Sequence, residues 1–221
     1  MRVVVKLGGR VAAAAVGDVL ERRAAGDEVV VVHGAGPQIS AELAARGLPV
    51  TFVRGRRVTD AATLDVVRES LVAVGAELCA ALGPTAVHLI GDEIGVQATP
   101  VLELGLVGDP VPSLLPAVER ALAERLVPVV TPIAVGPLNV NADEAAAALA
   151  SSVGAERLVF VSDVPGVYLE GAVLPLIDAD RASELIERGT FEGGIVPKLM
   201  AAVQAARAGL ETEIGETAVV A

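Results

Sequence analysis

Lysine is nearly missing from this 221-residue chain, which carries only Lys6 and Lys198 against fifteen arginines. Both lysines stand near glycine pairs, Gly8-Gly9 and Gly193-Gly194. A chain that uses arginine wherever a surface cation suffices, and lysine only in two matching contexts, needs a compact ammonium there rather than a planar fork. Tryptophan is absent and aromatic residues make up 2%, so base stacking on aromatic platforms is excluded as a binding mode. A net charge of −11 leaves no basic stripe for a phosphate backbone, and no nucleic-acid partner is expected. The single cysteine, Cys79, cannot form an intramolecular disulfide and falls in a helical apolar pattern, as a small core residue would.

Long hydrophobic runs are also lacking. The mean hydropathy of +0.61 comes from alanine and valine spread through amphipathic segments, which charges, glycine or proline interrupt before about 18 apolar residues accumulate. No membrane span is expected. The chain enters a strand at once, leaving no room for a signal peptide, and with one cysteine this points to the cytoplasm. The chain has no Gly-x-x-x-x-Gly-Lys-Ser/Thr, no protein-kinase motif set, no Ser/His/Asp order and no metal-ligand spacing, so no protein-held metal is expected.

What is present is organised around Arg2-Val3-Val4-Val5-Lys6-Leu7-Gly8-Gly9, a strand buried on both faces that exits into a glycine turn. The pattern predicts a helix over Val11 to Ala25, a strand over Glu28 to His33, and a helix over Gln38 to Arg46 with Pro37 in its first turn. Ile39 replaces the third glycine of a dinucleotide fingerprint after His33-Gly34-Ala35-Gly36, which argues against a Rossmann cofactor site. Asp60 caps a long helix, Ala61 to Leu82, whose apolar positions step by three and four. Next come a strand at Ala86 to Ile90, a hairpin region from Val96 to Val107, and a helix opened by Pro112-Ser113 that runs to about Arg125. A strand at Val127 to Thr131 precedes Asn139-Val140-Asn141-Ala142-Asp143, which introduces a helix over Ala145 to Val153. A strand at Arg157 to Ser162, a turn at Glu170-Gly171, a helix over Arg181 to Arg188 and one from Pro197 to Gly209 complete the pattern. Strands alternating with helices predict a three-layer αβα sandwich on a mainly parallel open sheet.

Glycine loops on strand ends, two isolated lysines, an aspartate at a helix start and the cluster Arg54, Arg56 and Arg57 suit phosphoryl transfer, where catalysis is mostly positioning plus positive charge. One of the arginines is a candidate to clamp a carboxylate; a solvated basic turn is the alternative. His33 and His88 read as structural residues, and Asp143 taken alone reads equally as a helix cap.

In order along the chain, Val5-Lys6-Leu7-Gly8-Gly9, Val32-His33-Gly34-Ala35-Gly36-Pro37, Gly55-Arg56-Arg57-Val58-Thr59, Glu103-Leu104-Gly105-Leu106-Val107-Gly108, Asn139-Val140-Asn141-Ala142-Asp143, Ser162-Asp163-Val164-Pro165-Gly166-Val167 and Gly193-Gly194-Ile195-Val196-Pro197-Lys198 resemble the amino acid kinase family. Within it, the branch that phosphorylates N-acetyl-L-glutamate is the nearest. The resemblance implies two lobes in one structural unit, residues 1–137 for the amino acid and dimerisation and residues 138–221 for ATP. It implies that Lys6 and Lys198 stabilise the moving phosphoryl group and that Asp143 orients them. Gly8 and Gly9 would hold phosphate oxygens. Arg57 and Asn139, with the main chain of Ala35 and Gly36, would bind N-acetyl-L-glutamate, while Asp163, Gly166, Tyr168, Gly193 and Gly194 would line the nucleotide site. ATP, accompanied by Mg²⁺ bridging its phosphate oxygens, is the expected phosphoryl donor. A carboxylate acceptor is already ionised at neutral pH and needs no general base, which fits a chain without a candidate catalytic histidine.

The chain departs from the family pattern at Ala35, which stands where a glycine is usual and requires a negative φ there. It departs again after Gly209, where little room for a helix remains. A homodimer packed through Ala61 to Leu82 is expected, without strong inhibition by arginine, because the chain begins at its first strand. The alternatives are a kinase for a carrier-linked glutamate or aminoadipate, and a ligand-binding member without turnover. Net negative charge and the absence of a basic docking face argue against the carrier.

Overall fold

A computed structural model describes residues 1–8, 15–161 and 164–221. The first half comprises β1 (Arg2–Leu7), α1 (Val16–Ala24), β2 (Glu28–His33), α2 (Gly36–Ala45), β3 (Phe52–Val53), β4 (Arg56–Arg57), α3 (Ala61–Leu82), β5 (Ala86–Ile90) and α4 (Gly91–Ile94). There follow β6 (Gln97–Pro100), β7 (Val107–Val111), α5 (Pro116–Ala123), β8 (Val127–Thr131), β9 (Ile133–Ala134), β10 (Leu138–Val140) and α6 (Ala142–Ser152). The remainder is β11 (Arg157–Val161), β12 (Tyr168–Leu169), β13 (Ala172–Val173), β14 (Leu176–Asp178), α7 (Ala179–Glu187), α8 (Ile195–Arg207), β15 (Glu211–Ile214) and β16 (Thr217–Val220).

The main sheet runs β14-β16-β15-β11-β1-β2-β8-β5 and is parallel except where β15 meets β16. Because successive strand residues face opposite sides, Val3, Val5, Leu7, Val29 and Val31 pack under α1, α2 and α3, while Val4, Val30, Val32, Leu158 and Phe160 pack under α5, α6, α7 and α8. The result is the expected αβα sandwich, with two apolar layers on the two faces of one sheet. Lys6 shares the face of Val4, so its ammonium points toward α6 and α8 rather than toward α3. A second sheet, β6-β7-β10-β9, positions Asn139.

The predicted elements mostly hold. The helix α3 spans Ala61–Leu82, with the Asp60 carboxylate accepting from the Thr63 amide at 2.8 Å. The helix expected from Pro112 begins instead at Pro116. β7 extends to Val111, and the Ser113 amide is taken by the Ser152 hydroxyl at 3.0 Å, so the chain stays extended until the second proline supplies the first helical turn. Likewise α6 opens at Ala142, because Asn141 Oδ1 accepts from the Asp143 and Glu144 amides, and α7 opens at Ala179, because Asp178 caps it. Of the first predicted helix, Val16–Ala24 is observed and residues 9–14 lie outside the described residues. After Gly209 the chain forms no helix but the hairpin β15–β16. Its turn glycine, Gly215, has φ +54°, and a Cβ there would lie 2.1 Å from the Pro165 carbonyl oxygen.

Beneath α3, the two histidines share one hydroxyl. Thr131 Oγ1 lies 3.3 Å from His33 Nε2 and 2.8 Å from His88 Nε2, and Gly75 leaves room for the rings, since a Cβ there would sit 2.2 Å from His88 Nε2. Burial, aided by His88 and Lys6 nearby, pushes the His33 imidazole down from 6.5 to about 4, and burial lowers His88 as well. Between those values the unfolded chain binds a proton that folded His33 refuses, so stability is full above pH 6.5 and is lost as pH falls toward 4. Urea unfolding at pH 7.5 and 5.5 should show a loss of roughly 1 kcal/mol from His33 across that interval. In His33→Gln the loss should shrink although the starting stability is lower; an unchanged pH dependence would contradict the assignment.

Candidate active site

The parallel strands β1, β2, β8 and β11 end along one edge of the sheet. There the connection leaves β1 for β2 on one side, while the second half of the chain builds outward from β11 on the other. Such a switch point opens a crevice at the carboxyl ends of the strands. A cleft of about 860 Å³ lies here, lined by Lys6 and Gly8 from β1 and its turn, by Ala35 and Gly36 from the start of α2, and by side chains of the second half.

Three charged groups meet at the cleft floor. Asp143 Oδ1 lies 2.7 Å from Lys6 Nζ and 3.2 Å from Lys198 Nζ, all three residues being more than nine-tenths buried. Each comes from a different element: Lys6 from the central strand, Asp143 from the first turn of α6, and Lys198 from the first turn of α8, which starts after Gly193-Gly194. Lys198 also sits over the Phe160 ring, 5.5 Å from its centroid. Burial alone would push the Asp143 carboxyl up, but Lys6 and then Lys198 more than offset it and hold the group below the ordinary carboxylate range. Burial lowers the Lys198 ammonium, with Asp143 opposing. Two ammonium groups share one carboxylate, so the trio keeps an excess positive charge facing the cleft.

The second feature is Arg57, 6% exposed. Its Nη2 donates to the Ser40 hydroxyl at 2.9 Å and to the Gly36 carbonyl at 3.3 Å, and the guanidinium stacks on Phe52, 4.6 Å from the ring centroid. Among the described residues Nη1 is buried without a partner and no carboxylate pairs with the group, whose pKa burial lowers. A buried guanidinium with a spare donor is a receptor for an anion. Arg56, its neighbour, is by contrast taken up by Glu144 and Asp109.

Of the residues singled out in the sequence, Lys6, Gly8, Ala35, Gly36, Arg57, Asn139, Asp143, Gly166, Tyr168, Gly194 and Lys198 line this one cleft. Gly193 is not among its lining residues; it precedes them as the turn into α8, with φ +67°. Gly9 and Asp163 lie outside the described residues. Ala35 has φ −140°, so its methyl group imposes no left-handed strain, and a Cβ on Gly36 would meet nothing within 4 Å. The supports were not visible in the sequence. Asn139 Nδ2 donates to Thr59 Oγ1 at 3.0 Å, which in turn donates to the Arg57 carbonyl, and Ser40 and Phe52 hold the Arg57 fork. Among the described residues no group of three or more His, Cys, Asp or Glu could hold a metal ion, and no helix is long and apolar enough to cross a membrane.

Comparison with known proteins identifies the family. The model of the amino acid kinase family matches residues 1–215. The chain is 39% identical over 226 aligned residues to the acetylglutamate kinase of Rubrobacter xylanophilus, covering 96% of this chain and 87% of that one. Its identity to the acetylglutamate kinase of Gluconacetobacter diazotrophicus is 38% over 221 residues, covering 89% and 70%. Among solved structures, smu.665 from Streptococcus mutans superposes with a TM-score of 0.90 at 28% identity, covering 99% of this chain and 98% of that one. The carbamate kinase from Giardia lamblia, at 17% identity with a TM-score of 0.73 and coverage of 99% and 98%, shares the fold. A family model that matches residues 1–215, together with a 39%-identical relative covered over 87% of its own length, establishes that this chain belongs to the amino acid kinase family.

Proposed function

We propose that this chain transfers the γ-phosphoryl group of ATP to the side-chain carboxylate of N-acetyl-L-glutamate, giving N-acetyl-L-glutamyl 5-phosphate and ADP, a step of arginine biosynthesis. The observation that carries this reading is a buried Lys6–Asp143–Lys198 trio sharing one cleft with an anion-seeking Arg57. Arg57 takes the α-carboxylate of the acceptor, with Asn139 and the main chain of Ala35 and Gly36 beside it. The side-chain carboxylate, ionised at neutral pH, attacks the γ-phosphorus; one O–P bond forms as the bridging O–P bond to ADP breaks. Lys6 and Lys198 neutralise the charge spreading over the equatorial oxygens, and Asp143 holds both ammonium groups in place. Gly8 offers its main-chain amide to the phosphates, a role the resemblance gives Gly9 as well, and Gly166, Tyr168 and Gly194 line the nucleotide, where the resemblance also puts Asp163. No base is required, in keeping with a His33 that is buried and held neutral. Mg²⁺ would accompany ATP and screen the charge of its phosphates. In this reading residues 1–137 serve the acceptor and residues 138–221 the nucleotide, and the protein works in the cytoplasm.

The product is trapped by hydroxylamine as a hydroxamate. Signal with free N-acetylglutamate is expected; signal only with another acid, or only with a carrier-linked one, would reassign the acceptor. Lys6→Arg and Lys198→Arg should each lose on the order of 3 kcal/mol of transition-state stabilisation, roughly a hundredfold in kcat, because a guanidinium cannot place a point charge between phosphate oxygens. Asp143→Asn should be similarly impaired while folded. Near wild-type turnover in any of the three would remove that residue from the mechanism. Arg57→Met should raise the KM for the acceptor about tenfold or more and leave the KM for ATP within about twofold.

We further propose a homodimer through the outer face of α3. The adjacent β5 ends the sheet with all five residues only half-buried, an edge that a second copy would cover. Sedimentation equilibrium should return twice the monomer mass, without strong inhibition by arginine; a monomer or hexamer would contradict this.

A further inference from the structure

The β3–β4 hairpin carries Arg57, yet its two strands pair only with each other and join neither larger sheet. Phe52 and Val53 are about half exposed. An isolated two-stranded ribbon is marginal in water; just beyond β4 the main chain of Thr59 bonds to Leu104 and Leu106, and the ribbon itself is held against the body by side chains. Successive residues of a strand point to opposite faces. Arg57 therefore reaches back to Ser40 and Gly36 at the start of α2, and Arg56 reaches the other way.

Arg56 forms a forked pair with one carboxylate, Nε to Glu144 Oε1 at 3.1 Å and Nη2 to Glu144 Oε2 at 2.8 Å, and its third nitrogen, Nη1, meets Asp109 of β7. Glu144 directly follows Asp143 in the first turn of α6. The fork is only a quarter exposed on the arginine side and about a fifth on the glutamate side, so it is screened less than a surface pair. Each end of this fork is adjacent in sequence to a residue of the proposed mechanism, Arg56 to Arg57 and Glu144 to Asp143.

We propose that the Arg56–Glu144 fork, braced by Asp109, is a positioning clamp that fixes the distance between the anion receptor at Arg57 and the phosphoryl-transfer centre at Asp143, and so sets the length of acceptor acid the enzyme turns over. This inference rests on the proposed kinase activity. Arg56 lines the cleft, but its fork is taken up by Glu144 and Asp109, and neither Arg56 nor Glu144 has a place in the proposed transfer step. Each acts through its neighbour, by holding the hairpin to the helix that orients both lysines. A ruler of this kind discriminates by a misplacement of the reacting carboxylate, to which in-line transfer is steeply sensitive.

Arg56→Met, Glu144→Gln and the double variant test the clamp, with Glu69→Gln, which breaks the exposed Arg46–Glu69 pair, as a control. Amide hydrogen exchange over residues 52–57 gives a readout that needs no turnover: both single variants should exchange faster there, and the control should not. In the hydroxamate assay each single variant should lose about tenfold in kcat/KM for N-acetylglutamate, and the double variant should lose no more than the worse single one, as coupled partners do. The KM for ATP should stay put, while the preference for the glutamate derivative over its one-carbon-shorter and one-carbon-longer homologues narrows. Arg56→Lys, which keeps the charge but not the fork, should recover only part of the loss. Unchanged exchange in the hairpin overturns the clamp even if the wild type turns over no acid, an outcome that would separately remove the proposed activity. Faster exchange with unchanged acceptor preference overturns the ruler.

Discussion

Everything at the working end of this molecule depends on one buried carboxylate serving two ammonium groups. A charge removed from water is tolerated only when it is paired, and three ionised groups more than nine-tenths buried would ordinarily be a liability to the fold. Here the pairing is deliberately incomplete: Asp143 Oδ1 contacts both Lys6 and Lys198. The positive charge left over would be balanced by an anionic ligand in the cleft. That constraint explains why β1 occupies the middle of the sheet, since Lys6 has to reach α6 and α8 at once. It also explains why Asp143 belongs to a helix whose cap is another residue: with Asn141 accepting the free amides, the aspartate is left for the lysines.

Several parts of this arrangement were legible in the chain. Lys6 and Lys198 stood out by rarity, because a sequence that otherwise uses only arginine reveals where an ammonium is needed. The α3 boundaries followed from Asp60 and the three-and-four apolar spacing, both local signals. Other parts depend on contacts across the chain and left no local mark. Pro112 and Pro116 are both plausible helix starts; the choice is made by Ser152, thirty-nine residues on, which takes the Ser113 amide. Ser40, Phe52 and Thr59 are unremarkable in sequence and gain their roles only when α2, the hairpin and β10 converge on Arg57 and Asn139.

The adjacent arginines of β4 show the same limit most plainly. By charge and composition Arg56 and Arg57 are interchangeable members of a basic turn, and only the family resemblance singled out Arg57. The strand sends them to opposite faces, and their neighbours then divide the work. Arg56 meets two carboxylates, is neutralised, and can only hold things together. Arg57 meets a hydroxyl, a carbonyl and an aromatic face, none of which cancels its charge, and so remains a receptor. Composition counts both as cations; only the partner list separates a structural cation from a binding one.

This division also reconciles a strongly acidic protein with anionic ligands. A net charge of −11 opposes the approach of both a nucleoside triphosphate and a dicarboxylate. Screening at physiological ionic strength reduces that long-range field to little beyond about 8 Å, whereas the cleft groups act at contact distance in a less polar medium, where each charge counts for more. Many of the chain's arginines are spent on surface pairs with glutamate or aspartate, as Arg2, Arg46, Arg68, Arg157, Arg181 and Arg207 are, and contribute little to a ligand's field. Among the described residues the buried cations without a full counter-charge, Lys6, Lys198 and Arg57, gather around one cleft. Recognition here is therefore a matter of which charges the fold leaves uncancelled, and where, rather than of how many the chain carries.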